Sequence, residues 1–400
     1  MKQSAEVVII GGGCMGASVA YNLARRGVTD LVLIEKEPML GMGSTGRNAG
    51  GVRHQFSTEA NIKLSIESIS LLEHFEDEVG YEVDFHQDGY LFLLSDKNSV
   101  AIFQQSVDTQ KRLGVDVAWF GPGEAAALAP GLSVEGVRAA TFCATDGIAD
   151  PNGVTVGFAR AAQTAGAVIE RETEVLGIDV DGGRVTRVRT DKGNISTRTV
   201  VNAAGPWAQR VGRMVGIEIP VLPYRRHIFI TDALPATRGA PSSSGIPAAA
   251  VAAVPSNRIM VIDFETTFYF HREGAGILFG MSDPDEPSGY DTSVRWDFLD
   301  RVTQVAVRRL PALGEAAIAH AWAGLYEMTP DAMPIIGPAP DVEGFFMING
   351  FSGHGFQHSP AAGRILAEMI VDGRAREVDA AAFSIARFSI DRCAGELNVV

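Results

Sequence analysis

Two short apolar runs, Val7–Ile10 and Leu31–Ile34, frame the start of the chain, and neither alternates with polar residues. Unbroken apolarity of this length suits strands buried on both faces of a parallel sheet. A helical pattern fills the gap between them. Helical spacing returns over 58–79, where Leu64, Leu71, Leu72 and Phe75 recur, and Thr58 with Asn61 gives a start signal. Residues 85–94 alternate as a strand with Gly89 inside, 98–113 read as a helix, and 122–130 as a short helix closed by Pro130. A turn-rich loop at 146–153 leads into a helix over 154–165. The pattern then predicts a strand at 167–174, a hairpin over 177–190 turning at Asp181-Gly182-Gly183, a buried strand at 199–205 and a helix at 207–214. From 220 to 283 strands and loops dominate, at 226–231, 258–263, 267–271 and 276–281. These suggest a mainly antiparallel sheet laid over the first domain. A helix follows over 295–310. The chain then returns to a strand at 344–349, a glycine loop at 350–357 and a helix opening at Ser359-Pro360, with Ser as N-cap and Pro at the first helical position. Ile365 with Met369, and Leu366 with Ile370, give that helix a buried face.

Length and charge narrow the field. Four hundred residues suit two or three domains with sizeable cores. A net charge of −14 argues against nucleic acid and against an anionic membrane surface, so positive charge near an anionic ligand must come from a few placed arginines. Cys14, Cys143 and Cys393 form no CxxC and no even framework, which predicts neither structural disulfides nor a metal site. The N-terminal apolar run is too short for a signal peptide, and Ala248–Val254 ends at Pro255, far short of a membrane span. A cytoplasmic protein without membrane insertion is expected.

The chemistry begins at Gly11-x-Gly13-x-x-Gly16, which follows the first strand and opens the first helix, with Glu35 at the end of the second strand. The first glycine allows a tight turn, the second lets a pyrophosphate approach the backbone, and the third lets helix and strand pack closely. The helix start offers N–H groups and a positive dipole end to phosphate. Glu35 is placed to accept hydrogen bonds from an adenosine ribose, and its charge disfavours a 2′-phosphate. NAD and FAD both remain open on these residues. A second loop of small and polar residues, Gly41–Gly51, leads directly into Val52-Arg53.

Taken in order, GGGCMG with Glu35, GSTGRNAGGVR at 43–53, VVNAAGPW at 200–207 and GFSGHGF at 350–356 resemble the amine-oxidising flavoproteins. These include D-amino-acid oxidase, glycine oxidase and sarcosine oxidase. The chain most resembles the sarcosine oxidase β-subunit group and related FAD-dependent dehydrogenases. The resemblance implies an α/β fold: a discontinuous Rossmann-type FAD domain (1–84, 146–219 and 321–400) with an inserted, mainly antiparallel substrate domain (85–145 and 220–320). It places Gly11, Gly13, Cys14, Met15 and Gly16 at the pyrophosphate, and Glu35 and Lys36 at the ribose. The loop Gly43, Ser44, Thr45, Arg47, Asn48, Ala49 and Gly50 would run beside pyrophosphate and flavin. Val175 would lie near adenine, and Ala203, Ala204, Gly205, Trp207 and Gly324 would line the same cofactor. Gly353, His354, Gly355, Phe356 and Gln357 would present backbone N–H groups where reduced flavin gathers negative charge.

For the substrate, the resemblance gives Arg53 the carboxylate, which a planar fork of donors suits independently. Tyr326, Tyr269, His354 and Gln357 complete the expected catalytic set. Several departures from the family matter. Gly324 stands where monomeric sarcosine oxidase has its flavin-linking cysteine, so FAD is expected to be non-covalent. Gln357 and Leu278 replace lysines, the second of them the oxygen-activating one. The segment 150–160 lacks the histidine that tethers FMN in the β-subunits. The implied activity is oxidation of the C–N bond of a small secondary or N-methylated amino acid, sarcosine- or proline-like, by hydride transfer to flavin N5. A dehydrogenase is favoured over an oxidase. A primary D-amino acid or glycine oxidase or dehydrogenase, a non-catalytic flavin-binding assembly subunit and an NAD-linked enzyme are the rivals. The expected partners are a small amino acid, an unspecified electron acceptor and, as β-subunit, other chains of a hetero-oligomer.

Overall fold

The computed structural model describes residues 2–234, 254–376, 378–389 and 395–399. Cys393 and residues 248–253 lie outside them. The two apolar runs pair in parallel, Val7 opposite Leu31 and Ile10 opposite Ile34, and all eight residues are buried. They are the middle of a six-stranded sheet in the order Ile335–Pro338, Phe345–Asn349, Thr199–Asn202, Val7–Ile10, Leu31–Ile34, Val168–Glu170. Only Ile335–Pro338 runs antiparallel to its neighbour. Apolar side chains on both faces explain why no alternation was visible in these strands. On one face the helix Cys14–Arg25 packs against Pro151–Thr164 and Gly355–Asp372. Its crossing with the latter is close: a Cβ on Gly363 would lie 2.2 Å from Ser18 Oγ.

A second, eight-stranded sheet takes the order Ile318–Met328, Leu222–Thr231, Gly276–Met281, Phe268–Glu273, Met260–Asp263, Tyr90–Leu94, Ala139–Cys143, Val117–Phe120. All its neighbours are antiparallel except Met260–Asp263 with Tyr90–Leu94. Here the two-residue period separates two faces. Leu91, Leu93, Phe229, Val261, Phe270 and Phe279 pack on the helix Trp296–Arg309. Tyr90, Ile228, Met260, Ile262 and Tyr269 line a cavity on the other side. Ile318–Met328 runs across position 321, because it pairs along its length with Leu222–Thr231.

Several boundaries differ from the sequence reading for identifiable reasons. The helical stretch 58–79 divides at His74 into Glu59–Glu73 and Phe75–Val79. Strand 85–94 breaks into Phe85–His86 and Tyr90–Leu94, since Gly89 sits at φ +88°. Strand 167–174 shrinks to Val168–Glu170, and Val175 opens the following strand, Val175–Asp181. The helix Pro151–Thr164 starts three residues early because the Asp150 carboxylate accepts Asn152 and Gly153 N–H.

The final helix begins at Gly355, not at Ser359, with Pro360 inside it. Pro360 has no N–H for the Phe356 carbonyl, and Ser359 Oγ donates to that oxygen instead, at 2.8 Å. No helix among the described residues is long and apolar enough to cross a membrane.

Candidate active site

The two sheets enclose a cavity of about 550 Å³. Its floor starts at Gly11, which turns at φ +112° and passes so close to the next strand that a Cβ would lie 2.3 Å from the Ala203 carbonyl oxygen. A Cβ on Gly16 would meet the Gly11 oxygen at 1.9 Å. The helix Cys14–Arg25 opens with no side-chain cap and no acid in its first turn, leaving its positive end toward the cavity. Burial pushes the Cys14 thiol up to about 11, so it is inert there. Glu35 is oriented by backbone: its two oxygens accept Gly12 N–H at 2.7 Å and Glu37 N–H at 2.9 Å. Lys36 lies 4.2 Å over the Trp207 ring, Trp207 stacks on Tyr290, and Arg210 lies 4.0 Å over Tyr290. These four also line the cavity.

Of the cofactor candidates, Gly11, Gly13, Cys14, Met15, Glu35, Lys36, Gly43, Ser44, Thr45, Arg47, Asn48, Ala49, Val175, Ala203, Ala204, Gly205, Trp207, Gly324 and the run Gly353–Gln357 line this one space. Gly16 and Gly50 are not lining residues. Gly16 acts through helix–strand packing. Gly50, at φ +74°, passes close to the Ala149 carbonyl oxygen. Three side chains of the glycine loop are engaged with the protein itself. Ser44 Oγ donates to Leu325 O at 2.6 Å, Arg47 Nη1 to Ala323 O at 2.8 Å, and Asn48 binds back to Thr45 and Gly50. The loop is thereby stitched to the strand Ile318–Met328.

At the opposite end Arg53 is buried. Its guanidinium donates to Gln55 O and, at 2.7 Å, to Asn398 O, and lies 3.8 Å over the Phe56 ring. Burial draws its pKa down against the opposing pull of Glu396. Beneath it, Asp146 accepts His54 N–H and His54 Nδ1 on one oxygen, both at 2.7 Å, and Gln55 Nε2 at 3.0 Å on the other. Cys143 brings its sulfur to the same spot, and one potential ligand atom each from His54, Cys143 and Asp146 lies within 4.8 Å of the others. The carboxylate already takes three donors and burial pushes the thiol up, so the grouping is a hydrogen-bond hub for residues 53–55.

Gln357 differs from its expected role: its Oε1 accepts the Arg53 N–H at 2.6 Å, so its first duty is to hold Arg53. His354 is 5% exposed with both ring nitrogens unpartnered, and burial lowers its pKa to about 3, leaving a neutral imidazole at the cavity wall. Tyr326 and Tyr269 join Tyr90 as aromatic walls. Two glycines make room for them, since a Cβ on Gly51 would lie 1.7 Å from the Tyr90 hydroxyl and one on Gly280 2.4 Å from that of Tyr269.

Sequence reasoning missed Tyr90, Arg226, Glu327 and Tyr290, all of which line the cavity. Burial raises the Glu327 pKa to about 7. Strand alternation was the available signal for Arg226. Arg225 pairs with Glu286 and Asp291, so its neighbour must face the other way, with Ile228. Leu278 is buried and is not a lining residue.

A glycine cradle that any Cβ would fill, an uncapped helix start, a backbone-oriented acid and an unpartnered imidazole fit a flavin dinucleotide laid from Glu35 to His354. The comparisons agree. A model of the FAD dependent oxidoreductase family matches residues 6–369. FAD-dependent oxidoreductase domain-containing protein 1 of Xenopus laevis is 31% identical, over 100% of this chain and 85% of its own length. Mitochondrial dimethylglycine dehydrogenase of Rattus norvegicus is 30% identical over 93% of this chain, which spans only 43% of that enzyme. The crystal structure of L-proline dehydrogenase from P. horikoshii superposes with a TM-score of 0.86 at 34% identity, covering 97% of this chain and 99% of the other. The chain belongs to the FAD dependent oxidoreductase family, whose flavin the cradle fits.

Proposed function

We propose that the protein oxidises the C–N bond of a small secondary or N-methylated amino acid, of the sarcosine or proline kind, and passes the electrons to an acceptor other than oxygen. Its FAD-dependent relatives that act on such amines support the substrate class. The observation that carries the reading is Arg53, a buried guanidinium at the wall of the cofactor cavity, flanked there by Tyr90 and Tyr326.

Gly11, Gly13, Glu35, the 43–50 loop, Val175, Ala203–Gly205 and Gly353–Phe356 would hold FAD, with no cysteine at Gly324 to attach it covalently. Bound FAD supplies the two-electron acceptor for the hydride leaving the substrate carbon. Arg53 takes the carboxylate through the edge of its fork. The tyrosine rings and Met260 exclude water and fix the amine's approach, so positioning carries much of the rate. The neutral His354 and the start of the helix Gly355–Asp372 present donors without adding a second cation. The preference for a carrier over oxygen rests on the dehydrogenases among the relatives.

The test is anaerobic titration of the purified yellow protein with sarcosine, L-proline and N,N-dimethylglycine. Bleaching of the flavin band by at least one is expected. A flavin that none of them reduces, but that D-alanine or glycine does, would overturn the substrate class.

A further inference from the structure

We propose that Arg226 is a second anion-binding position of the active cavity, selecting secondary amino acids that carry two carboxylates, one for each guanidinium. This rests on the reading of Arg53 given above and extends it. Arg226 lies on the strand Leu222–Thr231, opposite Gly324 of the neighbouring strand, with its guanidinium carbon 5.4 Å from the Tyr326 ring centre. Its Nη1 donates to Arg225 O at 3.0 Å, while its Nε is buried without a partner. Nη2 makes no hydrogen bond to a described residue. The Nε–Nη2 edge is the one that grips a carboxylate with two parallel hydrogen bonds; no described residue takes either nitrogen of it, and Arg226 lines the cavity, although Nε itself is covered by protein.

Neither Arg226 nor Arg53 makes an ion pair with a described carboxylate, although Arg225 and Arg295 do; Glu286 and Asp283 act on Arg226, and Glu396 and Asp146 on Arg53, from farther off. Tyr326 lies within the field of both guanidiniums. A monocarboxylate amine would leave one of the two guanidiniums without a counter-charge at contact distance, which burial makes costly. A second carboxylate on the far side of the nitrogen offsets it.

The test uses two thioethers that cannot be oxidised at nitrogen and differ by one carboxylate, thiodiacetate and (methylthio)acetate. Their dissociation constants are read from perturbation of the flavin spectrum of the FAD-loaded protein. Thiodiacetate is expected to bind at least about tenfold more tightly. Arg226→Met should bring the ratio to about one, and Arg226→Lys, which keeps charge but not the fork, to an intermediate value. Equal affinities in the unmodified protein, or an equal loss for both probes in R226M, would overturn the proposal, the latter assigning Arg226 to the flavin. Failure of both probes to bind at all would instead sink the Arg53 reading, so the two failures are told apart.

Discussion

Arg53 lies over the Phe56 ring with two of its nitrogens tied to backbone carbonyls and its own N–H tied to Gln357. Such fixing removes rotamer freedom before any ligand arrives, so little ordering cost falls on binding. The remaining fork can then discriminate a carboxylate by geometry as well as charge. Arg53→Met should raise KM for whichever amino acid reduces the flavin and lower kcat/KM by tens- to thousands-fold, about 2–5 kcal/mol. Steady-state kinetics with an artificial acceptor checks this, and an unchanged KM would return Arg53 to a purely architectural role. Met keeps the stacking on Phe56, so the loss reports on charge and hydrogen bonds more than on packing.

At the scale of elements, the glycine turn between the first strand and first helix works by exclusion. With the Gly16 Cβ position 1.9 Å from the Gly11 oxygen, Gly16→Ala must push helix from strand at the turn that would hold the diphosphate. A cost of about 1–3 kcal/mol is expected, seen as a lower Tm and a flavin-to-protein ratio well below one in the purified variant. This turn and its buried strands were readable from sequence because apolar runs and glycine spacing are local signals. Other features were not. The Ser359-Pro360 signal misplaced the last helix, since Ser359 Oγ serves the carbonyl that Pro360 leaves open and lets the helix continue. Thr58 marked a helix start, but its hydroxyl donates to Glu396, a carboxylate 338 residues away that no local pattern announces. Arg226 escaped because facing depends on what Arg225 pairs with across the fold.

Over the whole molecule, distant segments are joined by buried polar knots. Glu396 accepts Ser57 N–H and Oγ, Thr58 N–H and Oγ1, and Asn61 Nδ2, at 2.6–3.2 Å, pinning the segment 395–399 to the start of the helix Glu59–Glu73. Burial works to raise its pKa, but these donors, Ser57 first, outweigh it and hold the carboxyl below its usual 4.5. A depressed folded-state pKa contributes stability above the unfolded value and loses it as pH falls through the folded one. Glu396→Gln should therefore destabilise the fold at pH 7 by about 1–3 kcal/mol, read as a lower Tm, with the gap to the unmodified protein narrowing below pH 4.5. Melting curves across that range decide it, and a gap independent of pH would be the contrary result.

The same segment has a consequence for how the protein is made. The turn at Gly11, the acid at Glu35 and the strand Thr199–Asn202 can meet once the first half of the chain has emerged, whereas the Arg53 contact closes on Asn398 across 345 residues. Loop closure over such a span is entropically late. On the ribosome, the turn and strands that would cradle the nucleotide can thus form before the contact that finishes fixing Arg53.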